Sequence, residues 1–141
     1  MSGFLLDTNV ISELTRAKPN QRVAEWLEAV DEALLYFSVL TLGEIRKGVA
    51  MLAPSPRRTL LEAWLGTELV TRFAGRVLPI DGIIADRWGL LAGQAQAKGT
   101  PLAVIDGLLA ATALHHNLSI VTRNARDFAG TGVAVFNPWE E

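Results

Sequence analysis

The 141-residue chain contains no cysteine. That excludes disulfides, thiolate metal ligands and a cysteine nucleophile, and it fits a reducing cytoplasm. Histidine is scarce: His115 and His116 are the only two, and as neighbours on one helix they point about 100° apart, so they cannot form the i, i+4 pair of a zinc helix. They are expected to be ordinary helix-end residues. No run of about 18 apolar residues is present to cross a bilayer, and the opening MSGFLLD lacks the basic start and long apolar stretch of a secretory signal. Gly-x-Gly-x-x-Gly, the P-loop and the Gly-x-Ser-x-Gly elbow are all absent, so dinucleotide, nucleotide-triphosphate and serine-hydrolase readings lack their signatures. Neither sign of charge dominates, with 13 Lys+Arg against 15 Asp+Glu and a net −2. This balance does not exclude a nucleic-acid partner, because gathering four acids in one metal site leaves +2 on the remaining surface.

What is present suits one packed domain over residues 1–141. Half the residues are apolar, 20% are charged, and the mean hydropathy is +0.25. Phe4-Leu5-Leu6-Asp7 reads as a buried strand feeding a helix capped near Thr8-Asn9. Val23, Trp26, Leu27 and Val30 fall at helical spacing, and Leu34 to Val39 reads as a second strand. Thr41-Leu42-Gly43-Glu44 matches a capping box before a helix over Ile45–Leu52, and Leu60, Leu61, Trp64, Leu65 and Leu69 mark another helix, ending near Gly75. A brief extended segment over 77–80 precedes a helix that Gly99-Thr100-Pro101 stops, and Val104–His116 forms a mostly apolar helix closed by Asn117. Strands at 118–121 and 133–136 flank a short helix over 124–128. This alternation predicts an α/β sandwich around a mainly parallel sheet, with chemistry at the carboxyl ends of the strands, where Asp7 and Thr122 sit.

Most acids have bland explanations as solvated helix faces or tail residues. Asp7 ends a buried strand, and Asp106 stands in LAVIDGLLA with no other charge between Lys98 and Arg123. Such carboxylates are costly unless they are paired, act as caps or coordinate a metal. Glu44 is accounted for by the capping box with Thr41, or by a site role, or by both. Asp127 pairs equally well with Arg123, four residues earlier, as with a site. Without cysteine or paired histidines, a metal site here is built from oxygen, which selects Mg²⁺ or Mn²⁺ and suits hydrolysis of a phosphodiester.

Four segments, in order and spacing, carry a family resemblance: LLDTNVIS from Leu5, SVLTLGEIRKG from Ser38, IDGLLAATA from Ile105 and VTRNARDF from Val121. The chain resembles the PIN-domain ribonucleases, and among them the VapC-type toxins of bacterial toxin–antitoxin pairs. The resemblance implies a PIN-like three-layer sandwich and a Mg²⁺- or Mn²⁺-dependent endoribonuclease in the cytoplasm. Its substrate would be structured RNA, commonly transfer RNA, and a small VapB-like antitoxin would neutralise it. Asp7, Glu44 and Asp106 become the metal-binding acids and Asp127 a fourth catalytic acid, a role that Asn124 could share or replace through water. Thr8, Asn9, Ser38, Thr41 and Thr122 fall around the site as supporting residues. Arg46, Lys47, Arg123 and Arg126 lie close to the acids in sequence and are either phosphate contacts or solvated charges. A homodimer is expected as well, with Trp64, Leu60, Leu61 and Leu65 as candidates for part of its surface, the alternative being that they fill the core. A haloacid-dehalogenase-like phosphatase would need an acid at position 9, which is Asn9. A non-enzymatic PIN-fold binding module would be expected to have lost acids that this chain keeps, and a nuclease with a non-toxin role is the remaining alternative.

Overall fold

The computed structural model describes residues 2–140. Its centre is a five-stranded, wholly parallel sheet: β1 (Phe4–Leu6), β2 (Leu35–Ser38), β3 (Val77–Leu78), β4 (Ser119–Val121) and β5 (Val135–Phe136), in the spatial order β3-β2-β1-β4-β5. β1 lies at the middle, with Leu5 opposite Tyr36 of β2 and Ile120 of β4. Parallel neighbours need crossovers, and helices on both faces supply them. They are α1 (Thr8–Glu13), α2 (Gln21–Ala29), α3 (Val39–Ala50), α4 (Pro56–Ala63), α5 (Val70–Arg72), α6 (Gly82–Ala97) and α7 (Val104–His116), with a π-helical turn over Trp64–Leu69 and a 3-10 turn over Ala125–Phe128. The α/β class with a parallel central sheet is therefore as the sequence predicts.

Alternation along the strands separates two cores. Leu6 and Val121 point to one face, against Val10 and Ile11 of α1, Val23 and Leu27 of α2, and Leu65, Leu69 and Phe73. Leu5 and Ile120 point to the other, against Leu109, Ala110 and Ala113 of α7. The small alanines bring α7 close to the sheet, which fixes its first turn beside the strand ends. At its other end Asn117 closes α7 in the left-handed conformation, φ 54°, far from where the acids gather.

Two expectations change, and one of the two alternatives for the 60–65 stripe is settled. α3 starts at Val39, because Ser38 is extended and its hydroxyl accepts from Leu40 N at 3.0 Å. Thr41 is thus inside the helix rather than its cap, and the capping-box account of Glu44 falls. Thr41 is fully buried with its hydroxyl unpaired. The 60–69 stripe mostly faces inward: Leu65 is 1% exposed, and Leu61 and Trp64 pack against the first core, so of the proposed dimer surface only Leu60, at 71%, is exposed. The extended segment after α5 pairs over only Val77–Leu78, since Asp81 caps α6 by accepting from Ile84 N at 2.9 Å.

These caps make a direct stability test. Ser38→Ala should cost about 1 kcal/mol in urea unfolding through loss of the cap. Thr41→Val, which removes an unpaired buried hydroxyl at constant shape, should leave stability unchanged or raise it by up to about 1 kcal/mol. Under the capping box the order would be reversed.

Candidate functional site

The chain runs from β1 to β2 to β3 on one side of the sheet and returns to β4 and β5 on the other. The strand order therefore reverses between β1 and β4, where an open α/β sheet forms a crevice at its carboxyl edge. The residues immediately after these two strands are Asp7 and Thr122. The Thr122 hydroxyl is fully buried and uses its whole hydrogen-bonding capacity. It donates to Asp7 Oδ2 (2.8 Å) and accepts from Asn9 Nδ2 (3.2 Å) and from Asn124 N (3.0 Å). Asp7 Oδ1 accepts from Thr8 N (2.8 Å), and Asn9 Oδ1 accepts from Arg123 N (3.3 Å). One threonine thus locks the β1–α1 junction to the segment after β4.

Thr8 carries this order to α3. Its hydroxyl donates to Glu44 Oε1 at 2.6 Å, which gives Glu44 a partner the capping box did not foresee. Asp106 arrives from the first turn of α7, after a loop rather than a strand. Gly107 beside it sits against α6 so closely that a Cβ would lie 2.8 Å from Trp88 Cδ1 and 2.9 Å from its Nε1. The packing of these two helices therefore fixes where Asp106 stands. Asp127, on the 3-10 turn, completes the ring. Among the described residues it makes no ion pair with Arg123.

Asp7, Glu44, Asp106 and Asp127 line one cavity of about 860 Å³, together with Thr8, Asn9 and Asn124. They perturb one another. Burial raises the Asp7 pKa, the hydrogen bonds from Thr122 and Thr8 oppose this, and Glu44 and Asp127 add to it. Asp106 is pushed up to about 6 by burial, then by the negative charges of Asp127, Asp7 and Glu44. Among the described residues no three acids or histidines are already drawn into a compact metal cage. The donor set nevertheless suits a hard cation: it is all oxygen, and Asp106 has no side-chain hydrogen bond to compete for its lone pairs.

Other predicted residues lie outside the cavity wall. Ser38, just before α3, and Thr41, within it, are buried, and Arg46, Lys47 and Arg126 are exposed outside the cavity. Of the four cations singled out, Arg123 alone lines the cavity. Sequence reasoning missed half of the lining residues, three of them charged or aromatic. Glu13 is 4% exposed, accepting from Asn20 N (2.7 Å) and Arg16 (3.0 Å), and its i, i+3 spacing to Arg16 was the available signal. Arg16 itself is the second. Trp139 is the third. A second depression of about 320 Å³ shares Thr8, Ser12, Thr15 and Glu44 with the cavity and continues between α3 and α4 over Ile45, Val49, Leu52, Leu61 and Trp64.

A parallel α/β sandwich with carboxylates gathered at its topological switch point is the frame on which nucleases of one small-domain class are built. The PIN domain pattern matches residues 4–133, and the chain belongs to the PIN-domain family. Toxin FitB of Neisseria gonorrhoeae is 41% identical over 138 residues, covering 98% of this chain and 99% of that protein. VapC ribonuclease Y4jK of Sinorhizobium fredii is 39% identical over 137 residues, covering 97% and 98%. The crystal structure of FitAcB from Neisseria gonorrhoeae superposes with TM-score 0.92 at 40% identity, covering 98% of this chain and 99% of that one.

Two measurements test the site's electrostatics. Because the Asp106 pKa is raised in the fold, the native state holds the extra proton between the ordinary value of 3.8 and about 6, so stability falls as pH rises through that window. In EDTA at pH 7, Asp106→Asn should therefore stabilise the protein by about 1 kcal/mol, a figure discounted for its partial exposure, and should flatten that slope. Thr122→Val should destabilise by about 1–3 kcal/mol, because it strands a buried carboxylate and two donors, whereas Thr122→Ser should recover most of the loss.

Proposed function

We propose that this chain is a Mg²⁺- or Mn²⁺-dependent endoribonuclease toxin acting in the cytoplasm on structured RNA, transfer RNA included, and neutralised by a small antitoxin. The observation that carries this reading is the convergence of four carboxylates, from four separate elements, on one cavity whose rim also holds Arg16 and Arg123. The relatives' names support it, among them a tRNA(fMet)-specific endonuclease VapC of Shigella flexneri, 28% identical over 141 residues.

Asp7, Glu44 and Asp106 would hold the ion, with Asp127 or Asn124 contributing through water. When bound, such an ion supplies the positive charge that activates water near neutral pH and offsets charge developing on a phosphodiester. The protein's part is preorganisation. Thr122 and Thr8 N fix both Asp7 oxygens, Thr8 Oγ1 fixes one oxygen of Glu44, and Asp106 keeps both of its own free of side-chain hydrogen bonds. Arg123 and Arg16 offer donors to the phosphates on either side of the scissile bond.

An anionic pocket made for a dication also attracts a guanidinium, whose fork can engage two carboxylates at once. The antitoxin is therefore proposed to place an Arg or Lys among the acids, with its apolar residues lying along the depression between α3 and α4. A toxin–antitoxin complex from Klebsiella pneumoniae superposes with TM-score 0.72 at 25% identity, which supports a partner of this kind. The reading includes a homodimer. Ile83 and Leu90, two turns apart on the outer face of α6 and 63% and 65% exposed, replace the 60–65 stripe as its candidate surface.

Asp7→Asn should lower RNA cleavage at least about 100-fold with the fold intact, and excess EDTA should do the same to the parent chain. Full activity in either case would refute the metal-site reading. Expression of the chain alone should arrest growth, Asp7→Asn should not, and the cognate small gene should restore growth. Arrest that persists in Asp7→Asn would favour an RNA-binding module. If truncating the partner's basic residues to Ala leaves inhibition unchanged at every metal concentration, occlusion replaces the plug. A monomer mass by light scattering at micromolar concentration would remove the dimer alone.

A further inference from the structure

Trp139 stands apart from the chain's other tryptophans. Trp26 sits edge-on to Phe4 and tilted against Phe136 with ring centroids 5.1 and 5.3 Å away, Trp88 is pressed against Gly107, and Trp64 packs on the first core. Trp139 also touches that core with part of its surface, yet it forms a wall of the acidic cavity, and the Arg123 guanidinium lies over its ring at 5.5 Å from the centroid. Its main chain is held from both sides: Trp139 N donates to Asn137 Oδ1 (2.9 Å) and its carbonyl accepts from Arg22 (3.3 Å). Asn137 Nδ2 in turn donates to the Arg123 carbonyl (3.3 Å), so platform and cation are braced as one unit. That much bracing for a partly buried aromatic at the mouth of a charged pocket serves the pocket as well as the core.

We propose that Trp139 and Arg123 form a stacking subsite for one unpaired nucleobase of the RNA, next to the phosphate held at the acids. This deepens the ribonuclease reading and rests on it. A cavity of about 860 Å³ is in the size range of pockets that take whole small molecules, so it has room for a nucleoside as well as its phosphate. Proteins read RNA chiefly where bases are unstacked and can lie on aromatic or guanidinium planes, and stacking is tolerant of base identity. The subsite therefore selects an unpaired nucleotide rather than a particular sequence.

The test uses the full chain in an Asp7→Asn background, which binds without turnover, and a fluorescently labelled single-stranded oligoadenylate, compared with the same oligomer carrying abasic riboses. The expected result is that Trp139→Leu, which keeps the apolar contact with the core, binds intact oligoadenylate about tenfold more weakly with its salt dependence unchanged. Trp139→Phe should stay within about twofold of the parent, and none of the three should differ on the abasic strand. Arg123→Ala should weaken both strands and lower the salt slope by about 1. A purely structural role would shift the melting temperature of Trp139→Leu without changing its preference for intact over abasic RNA. The proposal is overturned if parent and Trp139→Leu show the same preference, which would leave Trp139 as a surface for a protein partner. Absence of any RNA cleavage by the unaltered chain would instead count against the ribonuclease reading, and the binding comparison stands independently of it.

Discussion

The site depends on one buried hydroxyl. Thr122 has one proton to give and two lone pairs to offer, and all three are committed to holding β1, α1 and the segment after β4 in register at the carboxyl edge of the sheet. The sheet order makes that location unavoidable, because the crevice opens where the chain changes direction across the sheet, between β1 and β4. From Asp7 the ordering passes through Thr8 to Glu44 on α3. Asp106 is placed differently, by helix packing against Trp88 at a position where only glycine leaves room. Hydrogen bonds fix Asp7 and Glu44, helix packing fixes Asp106, and Asp127 is carried by a turn in which its own N donates to the Asn124 carbonyl at 3.0 Å.

Burial treats the acids unequally. Glu13, which also lines the cavity, is more deeply buried than Asp7, Glu44, Asp106 or Asp127, but it holds Arg16 and a backbone N–H, so its charge is matched within the chain. Asp106 is less buried, has no such partner among the described residues, and is surrounded by three like charges. A carboxylate in that situation lowers native stability unless a cation joins it. The cost falls at one end of the sheet, and the packing of the rest of the domain offsets it.

Most of the fold was legible because strand and helix alternate with little ambiguity: apolar runs of three or four residues, punctuated by Asp, Asn or Gly, became β1, β2 and β4 within a residue or two. The error at Thr41 has a local cause. Ser38 and Thr41 are both competent caps three residues apart, and only the extended backbone of Ser38, set by its pairing in β2, decides between them. Asp7 and Asp106 could be read as costly in apolar surroundings. Arg46 and Lys47 could not be sorted from Arg123 by proximity in sequence, because the turn of α3 carries them away from the cavity while the loop after β4 brings Arg123 to it. Trp139 was invisible for the same reason, since its place at the site comes from tertiary folding alone, and Arg16 offered no more than its spacing from Glu13.

The two edges of the sheet also shape what this domain can associate with. β3 and β5 pair over only two residues each, so neither edge presents the row of free N–H and C=O groups along which a foreign strand could zip. Such short edges disfavour recruitment by lengthening the sheet, and with it runaway edge-to-edge growth. Association is left to side chains on helical faces, where specificity is written in shape and charge rather than in backbone hydrogen bonds that any polypeptide could supply.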